Sequence, residues 1–249
     1  MGRAGREEAL MHTFFAEGDL EGAESALLTE EESRHAGRVL RLRAGEEVVL
    51  ADGRGHRWLA VLGEDGPRRE ARLVRPLPDN EPRLSLTVCQ GLPKADKLEW
   101  IVQKLTELGC ARVVPVEMAR SVPRERGRRA ERLERIAREA VKQCRRARVP
   151  EVTEVMPWRA ALEELGRREL VLVPWEEAEG TTLAEARAAH PDVRDVALVI
   201  GPEGGIDQTE ILELKRAGGL CVTLGPRILR TETAAIAAAA AVMTLWGEM

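Results

Sequence analysis

The sequence predicts an α/β protein: a parallel sheet with helices on both faces, preceded by a small β-rich unit. Three observations predict it. After Pro82, short β-branched apolar runs alternate with amphipathic helical stretches, the pattern of a parallel sheet. Before Pro76 the runs are short, close together and separated by turn signals such as Asp52-Gly53-Arg54-Gly55 and Gly63-Glu64-Asp65-Gly66-Pro67. Between them lies Pro76–Pro82, P-L-P-D-N-E-P, a proline-rich linker. The expected organisation is residues 11–75 as the β-rich unit, 76–82 as linker and 83–249 as the α/β domain.

Met1–Leu10 is charged and carries no pattern, so it reads as a disordered extension. Thr29-Glu30-Glu31-Glu32 has the form of a capping box and opens a helical stretch through Leu40. Glu47–Ala51, Arg57–Leu62 and Ala71–Val74 read as strands. In the second part, Leu84–Cys89 is a strand. Lys94–Leu108 places Leu98, Ile101, Leu105 and Leu108 on one helical face and stops at Gly109. Val113–Val116 is a strand, and Glu125–Ala147 a long basic helix. Trp158–Leu165, Leu183–Ala189 and Gln208–Ala217 read as helices; Leu170–Val173, Val196–Ile200 and Leu220–Leu224 read as strands. A last helix spans about Thr231 to Trp246. Its alanines give a strong helix former that is far too short to cross a membrane.

The 44% hydrophobic content excludes a disordered chain. Cys89, Cys110, Cys144 and Cys221 form no C-x-x-C and have no histidine cluster beside them, so a reduced, cytoplasmic, metal-free protein is expected. No leader is expected either. Neither H-E-x-x-H nor G-x-S-x-G occurs, and the glycines fit neither the P-loop nor the dinucleotide fingerprint. Asp52-Gly53-Arg54-Gly55 precedes another strand rather than a helix, so it is a hairpin turn and not a cofactor loop.

Two places carry chemistry. The strands Val196–Ile200 and Leu220–Leu224 each end in Gly-Pro, at 201–202 and 225–226. Glycine lets a ligand approach bare backbone, proline stiffens the loop, and ligands of α/β sheets bind at strand carboxyl ends. Pro174-Trp175-Glu176-Glu177 would be a third wall of the same crevice. The second place is Arg120–Arg148. Eleven arginines and Lys142 there oppose Glu125, Glu131, Glu134 and Glu139, so 12 − 4 = +8 within a chain of net charge −4. A one-signed excess of arginine suits RNA phosphates and bases.

These segments are similar to one family. G-P-E-G-G (201–205) and L-G-P-R-I-L-R-T-E-T-A (224–234) resemble the C-terminal signature of bacterial 16S ribosomal RNA uridine-N3 methyltransferases. Those enzymes belong to the SPOUT superfamily of knotted, S-adenosylmethionine-dependent RNA methyltransferases. K-L-E-W-I-V-Q-K-L-T-E-L-G (97–109) and E-A-V-K-Q-C-R-R-A-R-V-P-E (139–151) resemble its internal blocks, and His35 to Arg41 its H-x-x-x-V-L-R block. Thr13 stands where the family usually has a basic residue before the Phe pair, so no RNA contact is carried to it.

The resemblance implies a knotted SPOUT domain behind a PUA-like barrel, a homodimer, and methyl transfer to ring nitrogen 3 of a uridine in 16S rRNA of the small ribosomal subunit. It implies a cofactor site at Val173, Pro174, Trp175, Ile200, Gly201, Pro202, Glu203, Gly204, Leu224, Gly225, Ile228, Leu229 and Arg230. Arg230 would orient the target or stabilise negative charge on the uracil, while Glu203 and Glu232 are candidates for proton handling or for bracing. RNA contacts are expected at His35, Arg38, Arg41, Lys94, Lys97, Arg124, Arg126, Arg145, Arg146 and Arg148. Two other functions fit the same residues: methylation of a ribose hydroxyl or another base, and rRNA binding by an assembly factor without catalysis.

Overall fold

The computed structural model describes residues 11–121 and 129–249. The expected N-terminal extension and the candidate RNA contacts Arg124 and Arg126 lie outside these. The chain divides into two compact units, Met1–Glu81 with Val141–Val149, and Pro82–Ala140 with Pro150–Met249.

In the first unit the strands are β1 (Thr13–Phe15), β2 (Ser25–Leu27), β3 (Glu47–Ala51), β4 (Arg57–Leu62) and β5 (Glu70–Pro76), in the order β1-β3-β4-β5-β2. β1 runs parallel to β3 and the other pairs are antiparallel. A bridge between Ala16 and Leu28 joins the two outer strands, so the sheet closes on itself and leaves no edge there. Phe14, Leu20, Leu28, Leu50 and Leu62 fill the interior. β1 and β2 have three residues each, too few for an alternating pattern to register in the sequence.

Thr29 caps α1 (Glu30–Arg34) by accepting the Glu32 amide at 3.2 Å. The expected helix to Leu40 is not continuous α-helix. It widens into a π-helical turn over His35–Val39. Asp52 Oδ1 accepts the amides of Arg54, Gly55 and His56 and so closes the β3–β4 hairpin.

The second unit holds β6 (Ser85–Gly91), α2 (Lys97–Glu107), β7 (Arg112–Glu117), α3 (Arg129–Cys144, whose last turn belongs to the first unit), β8 (Glu151–Val152), β9 (Met156–Pro157), α4 (Trp158–Leu165), β10 (Leu170–Pro174), α5 (Leu183–Ala189), β11 (Asp195–Ile200), α6 (Gln208–Arg216), β12 (Leu220–Val222) and α7 (Thr231–Leu245). The sheet order is β12-β10-β11-β6-β7-β8, with β9 also on β7, and every pair is parallel. All carboxyl ends therefore lie along one border of the sheet.

β11 is covered on both faces, which is why Val196–Ile200 reads as an unbroken apolar run. Val171, Val173, Ala197 and Val199 pack with Ala161, Leu165, Ile211 and Leu214 of α4 and α6. α7 packs against α2, α5, β6 and β11. Its buried stripe is Thr231, Ala235, Ala238, Ala239, Val242 and Met243. The methyl side chains let helix and sheet approach closely; a larger residue at Ala238 would overpack by about 1–3 kcal/mol.

Candidate active site

Three of the loops at the carboxyl border build one cleft. Pro174, Trp175 and Glu176 follow β10; Gly201, Pro202, Glu203, Gly205 and Ile206 follow β11; Leu224, Gly225, Arg227, Ile228, Leu229 and Arg230 follow β12. Ile200, Lys97, Thr231 and Ala234 complete the wall. The sequence brings these loops together because parallel strands deliver every following loop to the same side.

The loops are tied rather than loosely juxtaposed. The Thr231 hydroxyl donates to the Gly201 carbonyl at 2.6 Å and accepts from Gln90 Nε2 at 2.9 Å. Gln90 is fully buried at the end of β6. Asp207 caps α6, and Glu210 returns a bond to the Asp207 amide, a complete capping box.

Charge in the cleft centres on Lys97. Its ammonium lies 3.0 Å from Glu203 and 3.0 Å from Glu232. Glu203 also accepts the Lys94 amide at 2.9 Å. Burial raises the Glu203 carboxyl, but the Lys94 amide, its own backbone amide and Lys97 more than offset this, so it titrates below its ordinary value. Glu232 behaves likewise: burial raises it, while its own backbone amide, Lys97 and the charge of Arg230 bring it below the usual range. Bonds to Glu232 and Glu203 push Lys97 up. All three groups are charged near neutral pH.

Most of the residues expected to hold the cofactor line this cleft. Two do not. Val173 packs inside the core, because alternation along β10 puts its side chain on the sheet face covered by α4 and α6. Gly204 faces outward, its carbonyl held by Arg120 at 2.9 Å. Lys97, expected on RNA, belongs to the cleft, and Lys94 offers it a backbone amide. Sequence reasoning missed Thr223 and Ile206, which carry no mark in the sequence; Gly205, Arg227, Thr231 and Ala234 stand inside the two signature segments without being singled out.

The other expected RNA contacts lie in the first unit. Arg38 lines a polar pocket with Glu30, Ser33, Arg34 and Asp65. His35 stacks edge-on to Phe14, and Arg41 has a φ of 57°. The Arg145 carbonyl accepts from Asn80. Arg146 departs from expectation. It is buried, and its guanidinium binds Glu81 at 2.7 Å, so it braces the unit and presents no charge to a ligand. The Arg148 side chain is exposed beside Gly55.

The cleft suits S-adenosylmethionine. Gly225 has a φ of 99° and open space where a Cβ would stand, so bare backbone faces the opening. Pro174, Ile228 and Leu229 offer apolar surface, and Glu176 and Glu203 offer carboxylates to a sulfonium cation. A glycine-rich crevice on a parallel sheet, entered by the last helix of the chain, defines the SPOUT class of S-adenosylmethionine-dependent RNA methyltransferases.

The particular family follows from the relatives. Residues 80–243 match the RNA methyltransferase domain family and residues 28–70 the RNA methyltransferase PUA domain family. Ribosomal RNA small subunit methyltransferase E of Bacillus subtilis is 33% identical over 233 residues, covering 90% of this chain and 91% of the relative. The Mycobacterium tuberculosis protein of that name is 36% identical over 231 residues, covering 88% and 86%. The crystal structure of this methyltransferase from Neisseria gonorrhoeae bound to S-adenosyl methionine aligns with a TM-score of 0.85 at 33% identity, over 95% of this chain and 98% of that one. The chain belongs to the ribosomal RNA small subunit methyltransferase E family.

Proposed function

We propose that this protein methylates ring nitrogen 3 of a uridine in 16S rRNA of the small ribosomal subunit, with S-adenosylmethionine as donor. The observation that carries the reading is the single cleft formed by the two Gly-Pro loops, with Arg230, Glu203, Glu232 and Lys97 at one end. Bound S-adenosylmethionine supplies an electrophilic methyl group. The loops after β10, β11 and β12 hold it through backbone groups and apolar contacts. Arg230, at the mouth of α7, meets the negative charge that grows on the uracil as N3 loses its proton. Glu203 and Glu232, kept ionised by Lys97, accept the N3–H hydrogen bond and orient the ring. Their lowered pKa values make them weak bases, so the N3 proton leaves to water and alignment is the larger share of their work.

RNA is gripped by the PUA-like unit and the basic segment, through Arg38, Arg41, Arg145 and Arg148. The unit of action is a homodimer. Trp100 on α2 is 52% exposed, and the outer side of α7 leaves Ala237 and Leu245 exposed and Ile236 and Ala240 partly so. Such a face suits a second copy of α2 and α7. We place the protein in the cytoplasm, consistent with four cysteines that form no disulfide among the described residues, where no helix is long and apolar enough to cross a membrane.

Mass spectrometry of 16S rRNA after incubation with the protein and labelled S-adenosylmethionine tests the acceptor. The expected product is one N3-methyluridine; a methylated ribose would refute the uridine assignment. Sedimentation tests the assembly: a dimer is expected, and a fully active monomer would refute it.

A further inference from the structure

Gly205 lines the cleft and Gly204 stands just outside it, and two adjacent glycines are the most freely moving pair a loop can contain. The turn's internal bond is Gly205 amide to Pro202 carbonyl at 2.9 Å. On one side Glu203 is held by Lys97 and the Lys94 amide. On the opposite side the turn is held by Arg120. Arg120 Nη1 donates to the Gly204 carbonyl at 2.9 Å, and Nη2 meets Asp207 at 3.2 Å. We propose that Arg120 is a positioning residue that fixes the loop after β11 in its cofactor-binding form. This rests on the cleft being the S-adenosylmethionine site.

Arg120 stands on a fixed base. The Ser121 amide donates to the Met118 carbonyl at 3.0 Å, and the Met118 amide to Ser121 Oγ at 3.1 Å. The Ala119 amide donates to Glu210 Oε1 at 2.8 Å, and Glu210 is the buried partner in the α6 capping box. The turn after β7 and the loop after β11 thus share Glu210, and Arg120 spans the gap between them. Contact is close: a Cβ on Gly204 would stand 3.0 Å from the Arg120 Cβ, and one on Gly205 would stand 2.8 Å from Glu176 Oε1. Gly205 also has a φ of 73°. The turn is confined between Arg120 and Glu176, and Glu176 faces the cleft.

The planar fork of arginine reaches a carbonyl and a carboxylate at once; a lysine ammonium is a single point. Ordering the loop in advance lowers the cost of binding. Arg120 begins the basic segment, so the competing role is a phosphate contact, and its exposed pair with Asp207 taken alone would be worth little. A phosphate contact does not require a bond to the neutral Gly204 carbonyl.

The test uses the full chain as wild type, Arg120→Met and Arg120→Lys, with calorimetry for S-adenosylmethionine, filter binding for 16S rRNA, and steady-state kinetics. Arg120 is exposed, so both variants should fold, and thermal melting checks this. Arg120→Met is expected to weaken S-adenosylmethionine binding about tenfold, the order of one charge-assisted hydrogen bond. KM for that substrate should rise more than kcat falls, rRNA affinity should stay within about twofold, and lysine should rescue only in part. Unchanged cofactor affinity with weaker rRNA binding would overturn the proposal in favour of a phosphate contact. No change in either would reduce Arg120 to a surface pair and overturn it too. Failure of the wild type to bind S-adenosylmethionine would overturn the reading of the cleft, and this proposal with it.

Discussion

The Lys97 ammonium lies 3.0 Å from the Glu232 carboxylate, and it bridges from there to Glu203 on the opposite loop. One cation thus joins the N-terminal turn of α7 to the loop after β11. Removing it in Lys97→Met would leave two carboxylates facing each other. Their pKa values should rise from the lowered ones in the wild type, because the attraction that favours the ionised forms is gone. The acid limb of the pH–rate profile should therefore move to higher pH, and kcat near neutrality should fall by about ten- to a hundredfold. Unaltered kcat and pH profile with weaker rRNA binding would return Lys97 to the RNA surface.

Gly225 is the substitution that probes the cofactor cradle most cleanly. A Cβ at Gly201 would stand 2.8 Å from Ile206 and disturb the loop's own packing, whereas Gly225 has open space around it and only its φ of 99° to protect. Gly225→Ala should strain or shift the loop at a cost of about 1–3 kcal/mol. The cost should show in calorimetry as about ten- to a hundredfold weaker S-adenosylmethionine binding. Affinity equal to wild type in a folded variant would contradict the cradle.

The arginines of residues 145–148 should separate by role. Arg146 is buried against Glu81, whose other oxygen accepts the Ala147 and Arg148 amides. Arg146→Gln should lower thermal stability by about 3–5 kcal/mol, because a buried carboxylate loses its partner. Arg148→Gln should barely change stability but should flatten the salt dependence of rRNA binding by about one unit of slope. Melting curves and binding isotherms across salt concentrations distinguish the two.

His56 gives the first unit a pH dependence. Its ring lies 2.7 Å from Asp52, with Asp19 and Glu21 at 3.5 and 3.9 Å. The bond to Asp52, helped by the charges of Asp52, Asp19 and Glu21, raises its pKa above the ordinary histidine value of 6.5. The protonated ring is favoured by folding. The stabilisation is complete below pH 6.5 and is lost as pH rises through the raised value. The melting-temperature gap between wild type and His56→Gln should shrink with rising pH through that window; a gap that stayed constant would contradict the pairing.

Much of this was legible in the residues. Apolar runs ending in Gly-Pro located the two loops that line the cleft, because parallel strands and backbone-lined ligand sites both leave local marks. The three-residue strands β1 and β2, the buried role of Arg146 and the placement of Lys97 left no such mark. Each depends on a partner far along the chain: Phe15 on Ala51, Arg146 on Glu81, Lys97 on Glu203 and Glu232. A run of arginines reads as one charged surface until the fold shows which of them is turned inward. Thr231 and Gln90 were silent for the same reason, since their bond spans 141 residues.

The central claim is that the cleft transfers a methyl group from S-adenosylmethionine to uridine N3 of small-subunit rRNA. The direct measurement is incubation of the purified protein with labelled S-adenosylmethionine and unmodified 16S rRNA or small subunits, followed by nuclease digestion and mass spectrometry of the nucleosides. The account predicts label in a single N3-methyluridine, lost in Arg230→Ala. Label on a ribose or another base, or no transfer by a protein that binds both substrates, would contradict it.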